Sequence, residues 1–102
     1  MKDLASIIAG QYGTRDVFMI AEKAGVKIVR GKWFPATAGE LHRKTKTIYV
    51  NESAGIAPEK IVAHELGHYF LKEFGMQRRK DGEKFDEEKF CDDFAEKLLR
   101  DA

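Results

Sequence analysis

The strongest constraint on the fold is the stretch Ile61-Val62-Ala63-His64-Glu65-Leu66-Gly67-His68-Tyr69-Phe70-Leu71. Pro58 pre-sets a helical first turn, and Gly75 stops the helix near residue 74. On a helical wheel Val62, Leu66, Tyr69 and Phe70 cluster on one side, with Ile61, Ala63, Leu71 and Phe74 on the flanks. A helix apolar nearly all round is buried, so the chain has to fold about it. The polar groups of its central turns are His64, Glu65 and His68, and burying them without partners costs roughly several kcal/mol. A metal ion removes that conflict.

Residues four apart share a helical face, with Cβ atoms about 5–6 Å apart, so the imidazoles of His64 and His68 can converge on one ion. This H-E-x-x-H spacing suits two ligands of a single Zn2+ site, with another divalent metal as the substitute. Glu65 projects roughly 100° further round the helix. It can reach a water on that ion but is turned too far to replace either histidine, so its natural role is general base. Gly67 in mid-helix sacrifices about 1 kcal/mol of propensity. Either another backbone or a ligand passes close there, or a small residue is needed for packing.

The rest of the chain reads as scaffold around this helix. Leu4, Ile7, Ile8 and Tyr12 stand at helical spacing over residues 3–12. Thr14 is placed to cap a second helix whose buried stripe is Val17, Ile20, Ala21 and Ala24, with Gly25 at its left-handed end. Val26-Lys27-Ile28-Val29 is β-branched and reads as a strand, Trp33 to Ala38 as a second with Pro35 suiting an edge, and Thr45 to Val50 as a third. The short connections favour an antiparallel meander. After a polar loop a last helix begins at about Phe85, with Phe90, Cys91, Phe94, Ala95, Leu98 and Leu99 as its stripe and Glu88 and Asp92 on the margin. The fold class expected is α+β and zincin-like: N-terminal helices, a small three-stranded, mostly antiparallel sheet, the histidine helix and a C-terminal helix bearing a ligand.

Composition narrows the partners. A chain of 102 residues suits one small domain. A net charge of +1 with 34% charged residues of both signs removes the electrostatic case for nucleic acid or an anionic membrane as main partner. Cys91 is the single cysteine, and the N-terminal Met1-Lys2-Asp3-Leu4 opens no signal peptide, so a reducing cytoplasm is the expected location. No apolar run approaches the roughly 20 residues that cross a bilayer.

A catalytic zinc takes a third protein ligand and keeps one position open. His42, in the charged segment Glu40-Leu41-His42-Arg43-Lys44, is one candidate, although that segment reads as a surface loop from which His42 would sooner touch a substrate. Glu88 is the better placed candidate, because a helical hairpin would lay its carboxylate over the histidine pair. Asp92, one turn later, would then accept from a ligating imidazole N–H and fix its tautomer. From spacing alone, both acids equally fit a solvated helix margin.

Three segments together, Ile48-Tyr49-Val50-Asn51, then Ile61 to Tyr69, then Glu88 to Leu99, resemble the ImmA/IrrE family of metallopeptidases over most of the chain. That family typically shows an I-x-[IV]-N segment, a histidine helix close to H-E-L-G-H, and a later E-x-x-A-N-x-F-A-x-x-L-L helix. The resemblance implies Glu88 as third ligand. Cys91-Asp92 stands where the family commonly has Ala-Asn, and Asp92 resembles the aspartate four residues after the ligand glutamate in thermolysin-like enzymes. Members often cleave a helix-turn-helix repressor and many carry a DNA-binding domain, for which this length leaves no room.

The implied chemistry is zinc-assisted hydrolysis of a peptide bond in a protein or peptide substrate, a helix-turn-helix repressor or antitoxin-like partner being the candidate, with Glu65 moving the proton. The alternative is a metal-binding regulatory module that holds such a partner without cleaving it. The oxyanion needs a further donor. Tyr49 and His42 are the candidate oxyanion or substrate contacts, with Tyr12 also open, while Tyr69 faces away by helical geometry. Residues 46–51 offer a strand edge for an extended substrate, or ordinary sheet pairing. Cys91 reads as a small buried residue, with a role as inhibitory or alternative ligand as the minor reading.

Overall fold

The computed structural model describes residues 3–32, 37–75 and 86–100. Its element order is α1 (Leu4–Tyr12), α2 (Val17–Ala24), β1 (Lys27–Gly31), β2 (Gly39–His42), β3 (Thr47–Asn51), α3 (Pro58–Glu73) and α4 (Glu87–Arg100). The architecture is α+β, with four helices and a small mixed sheet among the described residues.

Local chemistry sets the two N-terminal helices. The Asp3 carboxylate accepts from the Ser6 N–H at 2.9 Å and starts α1. α2 is capped by Asp16, which accepts from the Phe18 and Met19 N–H groups at 3.0 and 3.3 Å. Thr14, expected as that cap, instead accepts from the Asp16 N–H at 3.0 Å and so orients the capping residue. Gly25 ends α2 at φ 78°, the left-handed conformation its position predicts.

The sheet departs from a meander. Its strand order is β1-β3-β2, with β1 parallel to β3 in the register Ile28 opposite Ile48, and β2 antiparallel to β3 with Leu41 opposite Ile48. Burial explains the order. In β3 Thr47, Ile48, Val50 and Asn51 are all buried, so this strand takes the centre. β1 and β2 each carry exposed polar side chains, Lys27 and Arg30 on one and Glu40 and His42 on the other, and take the edges. The second strand is displaced from its expected place. Gly39 to His42 form it, Thr37 and Ala38 are not strand, and positions 33–36 lie outside the described residues. A four-residue turn over 43–46 closes the β2–β3 hairpin, with Lys46 at φ 49°.

α3 starts with Pro58 in its first turn and buries Ile61, Val62, Ala63, Leu66, Tyr69, Phe70 and Leu71 between the sheet and the other helices. α4 lies against it through Cys91, Phe94, Ala95 and Leu98. Gly67 marks the approach: a Cβ added there would stand 3.1–3.2 Å from the Sγ, Cα and Cβ of Cys91. Of the alternatives that a mid-helix glycine leaves open, the close packing of α4 at Cys91 is the one found. Arg15 secures the far end of α4 by donating from Nη1 to the carbonyls of Lys97 and Leu98 at 3.0 and 3.3 Å. Among the described residues no helix is long and apolar enough to cross a membrane.

Candidate metal centre

His64 and His68 stand on neighbouring turns of α3, ring centroids 5.0 Å apart. α4 supplies the carboxylates that meet them. Glu88 lies over both rings, Oε1 at 3.2 Å from His64 Nε2 and Oε2 at 2.8 Å from His68 Nε2. The inner nitrogens are also engaged, His64 Nδ1 by Asp92 Oδ1 at 2.8 Å and His68 Nδ1 by Glu87 Oε2. The imidazoles are about four-fifths covered, while the Glu88 and Asp92 side chains are largely exposed. Contact with the histidines, not burial, distinguishes these two acids from a solvated margin.

The donor set can be tested against a metal by counting protons. A neutral imidazole has one donor and one acceptor nitrogen, and an ionised carboxylate only accepts. Both nitrogens of both rings face carboxylates here, four contacts for which two neutral imidazoles have two N–H donors. One cation shared between the two Nε2 atoms and Glu88 satisfies the other two. It also leaves each Nδ1–H to its carboxylate, the usual arrangement around a ligating histidine. Two imidazoles and one carboxylate suit zinc, so the residues fit the group.

Glu65 lies beside the pair, one residue round the helix, and is nearly buried. Burial pushes its carboxyl up from the ordinary value, the nearby His68 and His64 oppose that shift, and the charges of Glu88 and Glu40 add to it. It borders a hollow of about 880 Å³ whose walls include Gly39, Ile61, His64, Glu88 and Leu99. A shallower recess on the other side joins Gly39, Glu40, Leu41 and Arg43 of the β2 hairpin to Glu65, His68 and Glu88. Gly39 is required at this junction. A Cβ there would overlap the Ile61 methyl and crowd the Tyr49 carbonyl oxygen at 3.3 Å.

Cys91 offers a sulfur within the same cluster, one ligand atom from each of His64, His68 and Cys91 lying within 4.8 Å of the others. Burial, with the surrounding charges of Glu87, Glu88, Glu65 and Asp92, pushes its thiol well above the ordinary range. The fully buried Cys91 side chain also packs against the Gly67 backbone.

Tyr49 and His42 are placed elsewhere. Gly39 faces α3, and its partner Val50 shares that face with Ile48 and Leu41; strand alternation therefore turns Tyr49 and His42 to the opposite face, while Glu40, on the edge strand, still borders the recess beside Glu65. On that opposite face the His42 ring meets Tyr49 edge-on at 4.9 Å, and its Nε2 lies 3.4 Å from Glu40. The structure does not bring either residue to the imidazole pair. His42 is the last residue of β2, not a loop residue. Glu87 and Arg43 are the contributors that sequence reasoning passed over. A second carboxylate next to Glu88 was a visible signal for the first, whereas nothing local marks Arg43.

The family model of the IrrE N-terminal-like domain, a Peptidase M78 family, matches residues 20–98. The chain belongs to this family. The matched span of this IrrE-like domain contains the whole of α3 and the carboxylates of α4 that meet the histidines. The family is of metallopeptidase type, which agrees with the resemblance carried by the H-E-L-G-H segment and the Glu88 helix. No curated protein and no solved structure matches the chain.

Proposed function

We propose that this chain is a zinc-dependent peptidase in which His64, His68 and Glu88 hold the ion. The observation that carries the reading is the convergence of both Nε2 atoms on one Glu88 carboxylate beside a nearly buried Glu65. Zinc, when bound, would supply Lewis-acid polarisation of a peptide carbonyl and of the attacking water. Glu65 would take the proton from that water and return it to the leaving amine. Asp92 would hold His64 in the tautomer that presents Nε2.

The substrate would lie along β2 in extended form. β3 is paired on both sides, so the strand edge near the site belongs to β2, whose Gly39, Glu40 and Leu41 border the recess shared with Glu65 and Glu88. A protein or peptide substrate follows, with a helix-turn-helix repressor as the candidate carried over from the family resemblance.

Glu65→Gln tests the reading against a regulatory module that binds such a partner without cutting it. The variant should keep one equivalent of zinc and its fold while losing hydrolysis by about 100-fold or more. Partner release that persists in Glu65→Gln refutes the peptidase. Zinc below about a tenth of an equivalent in tag-free wild-type protein, after incubation with the metal, refutes both readings.

A further inference from the structure

The two histidines are held by different devices, and only the one on His64 follows from the ligand helix pattern. On the His68 side, Glu87, the residue before Glu88, meets Nδ1. Glu87 is in turn approached by Arg43, whose Nη2 lies 4.0 Å from the same Oε2. The same guanidinium donates from Nη1 to the backbone carbonyl of His68 at 3.3 Å. Arg43 sits in the β2–β3 turn, so three elements meet at this one residue: α3 through its carbonyl and ring, α4 through Glu87, and the hairpin through Arg43.

We infer that Glu87 and Arg43 form a positioning pair for His68, one that presents its Nε2 to the metal and ties the substrate-bearing hairpin to the ligand. The inference rests on the zinc reading of His64, His68 and Glu88. Carboxylates face both nitrogens of His68, Glu87 at Nδ1 and Glu88 at Nε2; with the cation held between Nε2 and Glu88, the ring's one proton belongs on Nδ1, where Glu87 accepts it. Asp92 does the same for His64, but largely in solvent and with no arginine behind it in the contacts described. The Glu87 side chain is the more covered of the two, at 30% exposure against 73%. A hydrogen bond in a partly desolvated setting holds its direction better than one competing with water, so His68 is the more rigidly set ligand.

The test uses zinc-loaded full-length protein. Zinc affinity is measured by competition with a chromogenic chelator, and the Nδ1–H signals of His64 and His68 are followed in ¹⁵N-labelled protein, with thermal unfolding as the check on folding. Glu87→Ala should weaken zinc about 10–100-fold and abolish the slowly exchanging Nδ1–H signal of His68 while that of His64 persists. Glu87→Gln, which keeps an acceptor oxygen, should restore affinity to within about threefold and recover the signal; Arg43→Ala should weaken zinc by less than Glu87→Ala. The inference is overturned if Glu87→Ala keeps wild-type affinity with the His68 signal intact. It is equally overturned if Gln and Ala do the same damage, since charge alone then carries the effect. Failure of the ligand reading is read separately: unchanged zinc affinity in Glu88→Ala refutes that assignment, and this inference with it.

Discussion

Replacing Gly67 with alanine isolates the helix contact on which the proposed metal centre depends. The added Cβ would stand 3.1 Å from Cys91 Sγ and 3.2 Å from both Cα and Cβ of Cys91. Ordinary carbon contacts lie at about 3.5–4.0 Å, so α4 must retreat by roughly 0.4 Å. Rotating the thiol relieves one of the three contacts; the other two belong to atoms fixed to the α4 backbone. Overpacking of this kind costs about 1–3 kcal/mol. Alanine returns about 1 kcal/mol of helix propensity. The expected net result is a loss of about 1 kcal/mol, read as a lower urea midpoint at unchanged slope. Glu88 rides on the same helix one turn earlier, and metal–ligand distances tolerate only about 0.2 Å. Zinc affinity should therefore fall by about tenfold, more than the stability loss alone suggests. Cys91→Ala in the same background should recover little, because Cα and Cβ remain. A Gly67→Ala protein that is more stable by about 1 kcal/mol and binds zinc as the wild type does would show that α4 does not press on this position.

Three further outcomes follow from other parts of the fold. Gly39→Ala should destabilise by about 1–3 kcal/mol by overlap with Ile61, and the damage should shrink when Ile61→Ala removes the methyl it meets; strictly additive urea-unfolding effects in that double-mutant cycle would refute the contact. Asp3 has its carboxyl lowered from the ordinary value, chiefly by the Ser6 backbone N–H, so its contribution is present above pH 3.8, the ordinary value, and is lost as the pH falls through the lowered one. Asp3→Ala should cost about 1 kcal/mol at neutral pH, with the difference from wild type closing in acid; a difference constant from pH 7 down to pH 2 (roughly) speaks against the cap. Zinc at about 100 times its dissociation constant should stabilise the protein by about 2.7 kcal/mol, reversed by a chelator. An unfolding curve indifferent to zinc and chelator would refute a specific site.

The helix periodicity of the sequence determines that α3 is a buried helix and that His64 and His68 share one face, because those relations lie within a few residues of regular backbone. Local chemistry likewise ends α2 at Gly25 and marks Gly67 as a point of close approach. The strand order is not local in this sense. β3 buries nearly every side chain and claims the centre, and β1 then pairs with it in parallel, the outcome of a competition among three segments that no single one of them records. The same holds for the second strand, where Leu41 alone provides an inward apolar residue and the aromatic stretch before it drew the expectation instead. At the site, spacing offered Glu88 and Asp92 as acids on one face of a helix, but their meeting with the histidines depends on the rotation and depth of α4 against α3. That docking also brings Glu87 to His68 and Arg43 to both, and turns Tyr49 and His42 to the far face of the sheet. Angles within an element follow from backbone geometry, whereas the placement of one element on another follows from side-chain packing across the core, which only the tertiary structure decides.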